Sequence, residues 1–169
     1  MVLFNSMRLI KKLLILILLL IIVQPTYADE FGKLNLPTQT INPGDFYYPF
    51  VRLWEKIVEK FQFSPDGKYK YSSSLIDKRM SELGYVVKNK RLGEVQHSSE
   101  RLSYKVGTLT DDLIKNVNKE NSNLLKRKIA SYFQALSELR DYFPANSAYW
   151  MLVQHDINSL KIYSDKLSK

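Results

Sequence analysis

Few side chains in this sequence have the type and spacing that chemistry would need. Glu94 and His97 stand three residues apart, the spacing at which a helix offers a carboxylate and an imidazole to a carboxylate-bridged metal pair. Such a site takes a glutamate and a histidine from each of two helices and one further glutamate from each of two others. The second half is missing, because the residue three before His155 is Leu152. Glu94 and His97 therefore read as a solvent-exposed polar pair on one helix. Glu55 and Glu59 share a helical face with Arg52, Lys56 and Lys60 interspersed, the pattern of a solvated, ion-paired surface rather than of an acid and base couple. Asp111 and Asp112 are adjacent and so diverge on a helix.

No serine lies in a nucleophile elbow and no glycine-rich loop is present to cradle phosphate. The absence of cysteine excludes thiolate chemistry, disulfides and a lipoprotein attachment point. The expectation is a chain that is not an enzyme, with no catalytic, cofactor-binding or metal-binding residues and no cofactor.

Cations gather at Lys88, Lys90 and Arg91 and again at Lys126, Arg127 and Lys128. Either group would suit an anion-binding patch, but both read first as helix-end and solvated-face charge. Tyr47, Tyr48, Tyr69 and Tyr71 combine rigid apolar area with a polar tip, which suits a groove for a peptide or glycan, although packing at helix interfaces explains most of them more simply.

The elements that must position these residues begin after an export signal. Arg8, Lys11 and Lys12 precede an unbroken apolar run, Leu13 to Val23, and Pro25-Thr26-Tyr27-Ala28 follows. Cationic region, apolar core and small residue are in the order of a cleavable secretory signal, with the cut after Ala28. The alternative is an uncleaved N-terminal membrane anchor, for which the run is long enough only with its flanks included. Removal of those three cations lowers the net charge from +8 to +5. That moderate excess favours anionic surfaces without identifying one. Nucleic acid is not expected, since export removes it and no recognition motif is present.

Residues 29–42 carry Gly32, Pro37 and scattered polar residues without a period and read as a linker. From residue 43 to 169 the pattern is helical throughout. Phe50, Leu53, Trp54, Ile57, Val58 and Phe61 form the apolar stripe of a first helix, with Asp45 as its cap and the charged residues on its outer face. Ser64-Pro65-Asp66 opens a second helix, whose stripe runs through Tyr69, Ser72, Ile76, Met80, Leu83 and Val87. A turn is expected over residues 88–93. The third helix follows from Val95 to Leu113, with Gly107 either kinking or restarting it. A polar connection spans Asn116–Asn123. The fourth helix carries Leu125, Ile129, Leu136 and Leu139 and must end before Pro144. The last is capped by Asn146-Ser147 and runs through Trp150, Val153, Ile157, Leu160 and Leu167. The fold class is therefore all-α: a single-domain, mostly antiparallel bundle of about five helices joined by short connections.

The stretch from Pro43 to Glu82 resembles a family of bacterial extracytoplasmic helical domains of unknown function. Its carriers are the Pro43-Gly44 turn with the aromatics Phe46 and Tyr47, the core Arg52-Leu53-Trp54-Glu55-Lys56, the junction Phe61 to Pro65, and Arg79-Met80-Ser81-Glu82. Methionine replaces leucine in that last motif, and residues 116–169 lie outside the match. The resemblance implies an exported helical hairpin or bundle and carries no catalytic residues. At the matched positions, Phe46, Tyr47 and Trp54 are expected to cap the first hairpin, and Arg79 and Glu82 to pair with Glu55 and Arg52.

The functional expectation is an exported, non-enzymatic domain that binds another envelope protein or an anionic component of the envelope, with peripheral membrane contact. The competing readings are a periplasmic chaperone-like protein that grips unfolded chains and a bundle enzyme with a metal site. Analysis for bound metal separates the enzyme from the first reading, and suppression of client aggregation identifies the chaperone.

Overall fold

The computed structural model describes residues 36–168. The export signal and the first part of the linker lie outside them. Among the described residues five helices follow one another: α1 (Tyr48–Lys60), α2 (Pro65–Lys88), α3 (Leu92–Lys115), α4 (Lys119–Arg140) and α5 (Ala148–Lys166). The all-α bundle expected from periodicity is the observed fold.

Local chemistry sets the ends. Ser64, Asn118 and Ser147 each accept a hydrogen bond from an amide in the following turn, at Gly67, Asn121 and Trp150, and so satisfy one of the unpaired donors of a helix start. All five helices close on a cation in the last turn, where it meets the negative end of the dipole. The α2–α3 turn is a Schellman motif: Lys90 has φ 54°, and the amides of Lys90 and Arg91 return to the carbonyls of Val87 and Val86. The same geometry recurs at Val117, φ 52°, with bonds from Val117 and Asn118 to Ile114 and Leu113. These tight reversals make α2–α3 and α3–α4 antiparallel neighbours.

α2 packs most extensively on α3, α4 on α5, and α5 also on α3, with lighter contacts from α4 to α2 and α3. The shared core holds Ile76, Met80 and Leu83 of α2, Leu102 and Val106 of α3, Leu125, Ile129 and Leu136 of α4, and Val153 and Leu160 of α5. α3 runs unbroken through Gly107. A Cβ there would come within 2.8 Å of the Tyr163 ring, so the glycine serves a close approach between α3 and α5 rather than a kink.

Three expectations need correction. The polar segment Asn116–Asn123 is a connection only up to Asn118, because Asn118 caps a helix that already includes Lys119. Asp45 does not cap α1. Tyr47 holds that position without a side-chain bond, while the Asp45 carboxylate accepts from the Asn42 amide and the Arg91 guanidinium. The described end of the linker is packed: Leu36 is buried in the core, and the Pro37 carbonyl accepts from Ser81.

The largest correction concerns α1. Its apolar stripe does not face the bundle. Phe50, Leu53, Trp54 and Phe61 are all more than half exposed, and the two buried residues of the helix are Tyr48 and Glu55. α1 lies on α2 by its polar side.

Candidate functional site

The reason for this inversion is in α2. Arg79 and Glu82 fall within the same helical stripe as Leu75, Ile76, Leu83 and Val86, and they are 2% and 0% exposed. Buried charges need partners, and leaving one unpaired costs several kcal/mol. Arg79 is bonded by Nη1 to Glu82 at 2.5 Å and by Nη2 to Glu55 of α1. The second oxygen of Glu82 accepts from the Tyr48 hydroxyl at 2.8 Å. Glu55 also meets Arg52 at 2.8 Å and Lys78 at 2.6 Å, and its backbone carbonyl accepts from Tyr71. From α3, Arg101 covers the Tyr48 ring at 5.2 Å, and Lys105 pairs with Glu59.

The electrostatics follow the geometry. Burial alone would raise the Glu55 carboxyl, but the charges of Arg79, Lys78 and Arg52 outweigh it and hold the group below its ordinary value. Burial would likewise lower Arg79, and Glu82 and Glu55 hold it above its usual value. The Tyr48 phenol is pushed up by burial and by the Glu82 charge. Tyr71 is pushed up to about 12 by burial and by the nearby Glu55 and Glu59. All these groups keep their ordinary neutral-pH charge states and bind one another. The constellation is a polar seat for a helix.

The consequence appears on the other side of α1. Phe46, Tyr47, Phe50, Leu53, Trp54, Ile57, Phe61 and Phe63 form an exposed ridge, from 38% at Ile57 to 86% at Phe63. Phe46 and Tyr47 meet edge to face at one end, and Phe61 and Phe63 at the other. Phe46, Tyr47 and Trp54 thus do not cap the hairpin, contrary to expectation, because the seat beneath α1 is filled by ion pairs. The acids of this region are all neutralised: Asp45 by Arg91, Glu55 by Arg79, and Glu59 by Lys105. Lys56 and Lys60 are exposed and make no ion pair among the described residues. They lie three and seven residues beyond Leu53, along one edge of the ridge.

The remaining residues singled out by spacing are placed as follows. His97 is exposed and lies 3.6 Å from Glu100, while Glu94 reaches Arg101 at 4.0 Å. No trio of His, Asp or Glu among the described residues could hold a metal ion. Asp111 is exposed and 3.8 Å from Lys166, and Asp112 pairs with Lys68 at 2.9 Å. One cation of each basic cluster is taken up by an ion pair. Arg91 binds Asp45, and Lys128 binds Asp77, which also accepts from the buried Tyr132 hydroxyl. The expected pairing of Arg79 with Glu55 is present, whereas Glu82 binds Arg79 and Tyr48 in place of Arg52.

One buried acid escaped the sequence reading. Asp156 of α5 is 0% exposed. One oxygen accepts from Ser103 of α3 at 2.5 Å, with the Ser99 hydroxyl also close to the carboxyl. Burial pushes its carboxyl up to about 7, against the lowering effect of the Ser103 and Ser99 hydroxyls. Its place between Val153 and Leu160 in the apolar stripe was the available signal.

A cleft of about 320 Å³ lies where α1 gives way to α2, lined by Phe63, Tyr69, Leu113 and the asparagines 116, 118 and 121. Two of the amides are committed to the backbone, Asn118 as a cap and Asn116 to the Asp112 carbonyl. Among the described residues no helix is long and apolar enough to cross a membrane. No family model, curated protein or solved structure matches the chain.

Proposed function

We propose that this chain is an exported, non-enzymatic binding domain that attaches to an anionic surface of the cell envelope through the exposed face of α1. The observation that carries this reading is the orientation of α1, with its ion-pairing face against the bundle and its aromatic face outward. Each large apolar side chain left in water forgoes about 1.5–3 kcal/mol of burial, and a contiguous patch of this kind marks an interaction site. The two unpaired lysines give the patch the sign that attracts anions. The buried charges pair with one another in seating the helix, and this supports a binding role for its outer face. Of the motif positions in the resemblance to extracytoplasmic helical domains, Arg52, Glu55, Arg79 and Glu82 belong to that seat, while Phe46, Tyr47, Leu53, Trp54 and Phe61 lie on the exposed ridge; the resemblance accords with export.

The test is envelope fractionation of cells producing the tagged chain, alongside Phe50→Glu/Trp54→Glu. The wild type is expected with the envelope and the variant, folded by circular dichroism, in the soluble extracytoplasmic fraction. Unchanged distribution of the folded variant would refute attachment through α1. A chaperone would instead show client-dependent suppression of aggregation that the same variant abolishes.

A further inference from the structure

We infer that the surface met by α1 is the boundary between headgroups and acyl chains of an anionic phospholipid bilayer, with the helix lying in the membrane plane. This rests on the attachment reading above and names its partner. Three observations favour lipid over an acidic polymer or a protein.

The first is composition. The ridge combines Trp54 and Tyr47, amphipathic rings that favour the headgroup level, with Phe46, Phe50, Phe61 and Phe63, which favour the acyl side. An acidic polymer would instead be held by several converging cations, and among the described residues Lys56 and Lys60 are the cations along the ridge. The second is shape. The apolar residues stand out as a convex ridge along a helix of about 20 Å. Among the described residues the two nearby clefts lie at the end of α1 and not along the ridge, one lined by Glu59, Lys68, Lys105 and Asp112, the other by Phe63, Tyr69, Leu113 and three asparagines. A convex ridge suits a deformable lipid surface. The third is charge. Asp45, Glu55 and Glu59 are neutralised from the bundle side, so the outer side presents aliphatic and aromatic groups edged by two ammonium groups whose stems can extend to phosphates.

The sequence places this ridge close to the membrane for a chain that retains its leader. Twelve residues separate Val23 from Leu36, which span at most about 40 Å when extended.

The experiment uses the full chain carrying Trp150→Phe, which leaves Trp54 as the only tryptophan, mixed with phosphatidylglycerol vesicles containing brominated acyl chains. Trp54 emission is expected to shift to the blue and to be quenched by the bromines. Phosphatidylcholine vesicles should give less quenching, and Lys56→Gln/Lys60→Gln should weaken the response roughly tenfold or more. Absence of quenching would overturn the lipid partner. A photo-crosslinker at position 54 in intact envelopes then separates the two readings. Crosslinks to another protein without quenching leave envelope attachment standing and remove the bilayer, and neither signal removes both. A dimer that Trp54→Glu dissolves, or a crosslink from position 54 to Leu13–Val23 of the same chain, without quenching, would assign the ridge to a second copy or to the chain's own apolar run and overturn the inference.

Discussion

Glu55 of α1 and Arg79 of α2 are bonded to each other with 6% and 2% of their surfaces exposed. That pair ties the first helix to the bundle by its charged side, and the exposure of the aromatic side follows from it. Among the described helices α1 approaches α2 alone by its backbone, so its attachment depends on side-chain pairing more than on apolar area.

Arg79→Ala should therefore destabilise the protein by about 3–5 kcal/mol, because Glu55 and Glu82 would remain buried without their counter-charge. Urea unfolding measures this. The Arg79→Ala and Glu55→Ala cycle should give a coupling above about 1 kcal/mol. Arg52 is more exposed, and its coupling to Glu55 should be smaller. Additive losses for Arg79 and Glu55 would contradict the seat.

Substitution of the aromatic ridge should have the opposite thermodynamic character. Phe50→Gln and Trp54→Gln are expected to change stability by no more than about 0.5 kcal/mol each, where a core aromatic would cost about 3–5 kcal/mol on truncation. The sum of the pair should be additive within error, and solubility should rise. A multi-kcal/mol loss in urea melts would place the ridge against the bundle instead.

Asp156 makes a pH prediction with a defined sign. Its folded-state value is raised above the ordinary 3.8 to about 7, so the folded protein favours the protonated acid. Stability from this group is greatest below about pH 4, falls as pH rises towards 7, and levels off above it. Glu55, Asp45, Glu100 and Asp141 are held below their ordinary values and act in the other direction, losing stability as pH falls. The difference between Asp156→Asn and wild type isolates the term. That difference, variant minus wild type, should grow by up to about 4 kcal/mol between pH 4 and pH 8 because the wild type loses that contribution, measured by urea unfolding of both proteins at each pH. A difference that does not vary with pH would place Asp156 in contact with solvent or a cation.

Periodicity, capping residues and turn chemistry are local, and they determined most of the architecture. Ser64-Pro65 and Ser147 mark helix starts, the recurrence of apolar residues from Ile76 to Val87 and from Leu102 to Leu113 marks the core sides of α2 and α3, and Pro144 bounds α4. The same periodicity identified α1 as a helix with two unlike faces but contained no information on which face turns inward. That choice was made by residues far along the chain. Arg79 and Glu82 interrupt the apolar stripe of α2, and only the polar side of α1 carries the Glu55 carboxylate and the Tyr48 hydroxyl that pair with them. Only the assembled bundle brings Tyr48 and Glu55 over that pair, so only the tertiary structure decided that the most apolar surface of the described chain faces outward.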